Sequence, residues 1–147
     1  MSRFALACIA VAGIASGGHG LGAELPALAG LSVGWSILWI FSEFRGRSKA
    51  TAFFAGFVVL TGLSASGGEG LFLPVAAVTA ALLGWDASLA FARLREVPPV
   101  DRRPITLRYV ANSALVGIAG LIVAGTVTIL HLPLTFGSAV VLVLVLT

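Results

Sequence analysis

Four residues of the types that hold metals or cations, His19, Glu24, Glu69 and His131, fall in or beside turns between apolar stretches. Two imidazoles and two carboxylates form a donor set that zinc or manganese accepts. Without a metal, the same residues would make an acidic vestibule that attracts cations. Their spacing contains neither H-x-x-H nor H-E-x-x-H, so nothing in the local sequence brings them together. The simpler account is that all four are solvated turn residues.

Asp86 is the carboxylate placed where a carboxylate is costly. It lies within an apolar segment about two helical turns before Arg93. A charged carboxylate deep in hydrocarbon costs roughly 2.5–3.5 kcal/mol on insertion scales, so it faces a partner or a water path. Arg45, Arg108, Ser36, Ser42 and Asn112 are the candidate partners, and Asp86, Ser36 and Asn112 are the candidate intramembrane polar group. Structural pairing is the plainer role, but if one residue moves protons or ions, it is Asp86. Trp35 and Trp39 share a helix face at i and i+4. With Trp85 they offer surface for a quinone, carotenoid, chlorin or lipid tail, although packing against neighbouring helices is the commoner use of such residues. Ser16, Ser66 and His19 have no spacing that enforces a nucleophile–base contact. The chain therefore reads as no enzyme, requiring no cofactor.

These residues sit on elements whose solvent is set by composition. Apolar residues make up 59% of the chain and charged residues 10%, against about a quarter charged in a soluble domain. Mean hydropathy is +1.07. The fold class expected is an all-α integral membrane protein, one transmembrane domain over 1–147. The pI near 10.0 does not point to nucleic acid, because the net charge is only +3 and the basic residues sit in short loops. Cys8 is the single cysteine and excludes an internal disulfide framework.

Charges and prolines divide the chain into six apolar segments, paired as hairpins over 4–44, 50–94 and 105–147. A polar, proline-held loop spans 93–104. The last helix is expected to be incomplete, because VVLVLVLT ends without a charged stop. All nine basic residues (Arg3, Arg45, Arg47, Lys49, Arg93, Arg95, Arg102, Arg103 and Arg108) fall on one side of this topology. By the positive-inside rule that side, with the amino terminus, is cytoplasmic. Residues 1–16 also fit a secretory signal, but the segment has a repeat partner at 53–66 that cannot be one.

That repeat is the clearest internal pattern. ASGGHGL at 15–21 returns as ASGGEGL at 65–71, and Gly34-Trp35 returns as Gly84-Trp85 at the same offset of fifty. Two complete hairpins in the same orientation make a parallel repeat, unlike the inverted repeats of many transporters. The glycine phrase reads as a duplicated tight turn. The pairs Gly13/Gly17, Gly30/Gly34 and Ser113/Gly117 have the small-xxx-small spacing that lets membrane helices approach closely. The expected role is an accessory or structural subunit of a larger membrane complex, in contact with lipid, other subunits or a pigment. The competing role is a small oligomeric transporter, channel or lipid carrier using Asp86 and the outer His/Glu group. A multi-pass protein of a prokaryotic cytoplasmic membrane is the expected setting, with no nucleic-acid partner.

Overall fold

The computed structural model describes residues 3–45, 49–66, 70, 72–94, 99–129 and 141. They form five α-helices, α1 (Arg3–Gly22), α2 (Pro26–Phe44), α3 (Ala50–Ala65), α4 (Phe72–Leu94) and α5 (Pro99–Ile129). No strand occurs among the described residues. Helices α1, α2 and α4, and residues Pro104–Ile122 of α5, are each long and apolar enough to cross a membrane. About 20 residues suffice for the ~30 Å hydrocarbon layer. Helix α3 is equally apolar but has 16 residues, which gives about 24 Å at 1.5 Å per residue. The expected sixth segment lies outside the described residues apart from Val141.

Two boundaries differ from the sequence expectation. The first glycine phrase is not a turn, because α1 continues through it to Gly22. Its glycines serve close approach: a Cβ on Gly17 would stand 2.7 Å from Val33, and one on Gly20 would stand 3.0 Å from the Ala29 nitrogen. The turn falls to Glu24, which takes a positive φ of 58°. The Leu25 N–H bonds the Gly20 carbonyl at 2.8 Å, and the Glu24 N–H bonds that of Leu21 at 3.2 Å. This is the Schellman arrangement, with glutamate at the left-handed position that glycine usually holds. The second glycine phrase behaves differently, since α3 ends at Ala65 and Gly70 has φ +96°. The two copies of the phrase therefore do not share one conformation.

The other boundary is the loop expected over 93–104, which is helical from Pro99 onward. Proline suits the first helical position, where its fixed φ is already right and its missing N–H is not needed. Pro104 then sits inside the helix, where its ring removes the hydrogen bond to the carbonyl four residues back.

Helix α1 packs most extensively on α4 and α2, and the remaining pairs are α2–α3, α3–α4, α4–α5 and, with the smallest contact, α1–α3. Directions follow from which residues meet. Gly13 faces Ser36 and Gly20 faces Ala29, so α1 and α2 run antiparallel. Gly120 faces Thr79 and Gly117 faces Leu83, so α4 and α5 do too. The core joins Ile9 and Ala12 of α1, Trp39 of α2, Ala50 and Phe57 of α3, and Ala77 and Ala81 of α4. Small residues dominate because lipid offers no hydrophobic drive for association; close backbone contact has to supply it. Gly30 and Gly34 do not take part, since a Cβ at either would meet nothing within 4 Å among the described residues.

Candidate functional site

Helix α5 carries few polar side chains in its membrane span, and Tyr109, Asn112 and Ser113 recur on one face at i, i+3 and i+4. The antiparallel register with α4 brings that face against Asp86. The Tyr109 hydroxyl donates to Asp86 Oδ2 at 2.5 Å. Ser113 follows one turn later on the same face of α5 and is buried. The Tyr109 ring is seated edge-on against Phe91 of α4, 5.8 Å between centroids. Around these groups lies a cavity of about 360 Å³, bounded by Asp86, Tyr109, Asn112 and Ser113 with Leu82 and Trp85.

Of the intramembrane polar group, the structure brings together Asp86 and Asn112 and leaves Ser36 elsewhere. The Ser36 hydroxyl bonds back to the Ser32 carbonyl at 3.0 Å. Its side chain fills the space over Gly13, where an added Cβ would stand 2.7 Å from Oγ. Arg45 lies over the Phe41 ring of its own helix at 4.3 Å. Tyr109, absent from the partners expected for Asp86, is the residue that meets it. It is the only tyrosine in the chain, and its place at the head of the polar triplet in α5 was the signal available.

The outer group is only partly described. His19 is buried at 5% exposure, and its Nε2 has no hydrogen-bond partner among the described residues. That overturns its reading as a solvated turn residue: α1 extends past it, which places the imidazole in the last helical turn. On the same face one turn earlier, Ser16 shares a hydrogen bond with Thr61 of α3 at 3.2 Å. The Ser64 hydroxyl in turn donates to the Thr61 carbonyl at 2.9 Å. Glu24 is exposed. Glu69 and His131 lie outside the described residues. Among the described residues, no three His, Cys, Asp or Glu side chains gather as metal ligands.

The tryptophans pack. Trp35 Nε1 donates to the Phe53 carbonyl at 2.8 Å, and Trp39 stacks on the Phe53 ring with 6.3 Å between centroids. Trp85 stacks on Phe54 at 5.2 Å and bonds Thr51 through its indole nitrogen at 3.2 Å. The repeat-related Trp35 and Trp85 thus converge on one helix, α3. A twofold exchange of α1 with α3 and of α2 with α4 would instead have sent Trp85 to α1.

Four helices long and apolar enough to cross a membrane, with polar side chains bonded between neighbouring helices, are the features of a helical membrane protein. Comparison with protein-family models, with curated proteins and with solved structures gives no match to the chain.

Proposed function

We propose that the chain is an accessory or structural transmembrane subunit of a larger complex in a prokaryotic cytoplasmic membrane. The observation that carries this reading is the use of polar side chains to join one helix to the next. Tyr109 to Asp86, Ser16 to Thr61, Trp35 to Phe53 and Trp85 to Thr51 each link two helices. The same helices turn apolar faces outward. Within the α5 span only 11% is buried, against 50% for α4. Leu107, Leu115, Ile118 and Ile122 are all exposed there, a surface for lipid or neighbouring subunits.

The finer topology belongs to the same proposal: six helices as three hairpins, the first two a parallel repeat, with the amino terminus cytoplasmic. Its support is the distribution of charge over antiparallel neighbours. Arg3 at the start of α1, Arg45 after α2, Lys49 before α3, Arg93 in the last turn of α4 and Arg108 early in α5 then share one end. Single cysteines at Glu24 and Lys49, labelled from outside in intact cells, test this. Labelling at position 24 and protection at 49 is expected, and the reverse would invert the topology.

Native mass spectrometry after gentle extraction tests the role. Co-migration with other polypeptides at fixed stoichiometry is expected. A clean homo-oligomer would sink the subunit reading in favour of a small transporter, channel or lipid carrier. The cavity at Asp86 is what supports that second reading. In proteoliposomes, Asp86→Asn would then abolish flux while leaving assembly intact.

A further inference from the structure

The cavity between α4 and α5 has two kinds of wall. Asp86, Asn112, Ser113 and the Tyr109 hydroxyl bring oxygen acceptors, and Leu82 with the Trp85 indole brings apolar surface. We propose that it binds a primary ammonium group, carried by a membrane aminophospholipid or by a small soluble amine. The proposal stands apart from the subunit role, since either kind of protein could hold such a ligand.

Charge is the first argument. Asp86 is exposed although it lies inside the apolar stretch of α4, eight residues before the helix ends at Leu94. The Tyr109 bond engages Oδ2 alone. A neutral phenol shares the carboxylate's charge without cancelling it, no cation pairs with Asp86 among the described residues, and a carboxylate without a counter-charge within a span is unfavourable. A monocation cancels it. The second argument is donor count. An ammonium carries three N–H donors and no acceptor, which matches the Asp86 carboxylate, the Asn112 carbonyl and the Ser113 hydroxyl.

Other cations fit less well. Calcium takes six to eight oxygen ligands, usually including several carboxylates, and the cavity holds one carboxylate. A quaternary ammonium has no N–H and is recognised by a cage of aromatic faces, whereas the acceptors here would find no donors. The volume, about 360 Å³, is at the lower end of small-molecule sites, which run from about 300 to 1,000 Å³. It admits an ethanolamine-sized group and the beginning of what carries it. Exposed Arg93 and Arg108 stand toward the same end of these two helices. They are suited to the phosphate that accompanies the amine in an aminophospholipid.

The test uses the full chain in nanodiscs of equal phosphatidylethanolamine, phosphatidylcholine and phosphatidylglycerol, with retained lipid read by native mass spectrometry. Selective retention of phosphatidylethanolamine, lost in Asp86→Asn and kept in the exposed control Glu24→Gln, is the expected result and identifies the lipid as the source. Retention without selectivity, together with a thermal shift on adding ethanolamine that Asp86→Asn abolishes, assigns the same chemistry to a soluble amine. If Asp86→Asn does not assemble, Asn112→Leu is read in its place. Equal retention of all three lipids with no ethanolamine shift overturns the proposal, as does a preference that survives substitution.

Discussion

Gly56 on α3 lies against the indole of Trp35 on α2, so close that a Cβ at position 56 would stand 2.5 Å from Cζ2 of the ring. The indole cannot easily retreat. Its nitrogen is held by the Phe53 carbonyl one turn earlier on α3, and its ring is tilted against that of Phe53 at 5.5 Å. One missing side chain thus sets the spacing of two helices.

Gly56→Ala is therefore expected to destabilise the protein by about 1–3 kcal/mol, the usual range for overpacking a filled interface. Thermal unfolding in one detergent measures it. Gly18→Ala supplies the contrast, since a Cβ at position 18 meets nothing within 4 Å among the described residues. There, relief of the helix-interior glycine penalty favours the variant by up to about 1 kcal/mol. Equal effects at both positions would mean that the α2–α3 contact is looser than described.

The Tyr109–Asp86 bond is expected to couple α4 to α5 by about 0.6–2 kcal/mol, from the average for membrane hydrogen bonds up to somewhat more for a charged acceptor. A double-mutant cycle of Tyr109→Phe with Asp86→Leu, which removes the donor and the acceptor in turn, isolates this coupling from the loss of either group alone. Strictly additive single losses would show that the bond contributes nothing to helix association.

Much of this architecture was legible in composition. Low charge and long apolar runs dictate a membrane fold, and the small-residue spacing at Gly13 and Gly17 marks a contact that α1 makes with α2. Glycine, however, supports both tight turns and close approach, so ASGGHGL alone does not reveal which use prevails. The outcome depends on whether a neighbouring helix lies within reach, as Ala29 and Val33 do. The partner of Asp86 was hidden for a related reason: which residue of α5 lies opposite it depends on the α4–α5 register, fixed by distant contacts such as Gly120 against Thr79. Pro99 opens a helix in a stretch that reads as loop, because a proline pair favours an extended chain and a helical first turn alike.

His19→Leu should raise stability. A buried nitrogen without a partner carries a desolvation cost of about 1–3 kcal/mol that an apolar side chain of similar breadth avoids. His19→Gln keeps a polar group in the same place and should bring no gain. Both are compared by thermal unfolding. Destabilisation by leucine would reveal that Nε2 has a partner in the membrane, a water, a lipid or another subunit, and would restore this histidine to an outer binding group.

Glu24→Gly is the sharpest test of how α1 turns into α2. Glutamate pays a steric cost of roughly 1–2 kcal/mol at a left-handed φ because its Cβ crowds the following carbonyl. Glycine has no Cβ, and the Schellman bonds to Gly20 and Leu21 remain. Glu24→Ala removes the carboxylate but keeps the Cβ, so it controls for charge. If backbone strain is the dominant effect, the glycine variant unfolds at a higher temperature than both the alanine variant and the parent. If glycine and alanine behave alike, the strain is negligible and the carboxylate decides. That outcome would point back to Glu24 as a cation contact on the outer face, testable by repeating the melts with and without a divalent ion.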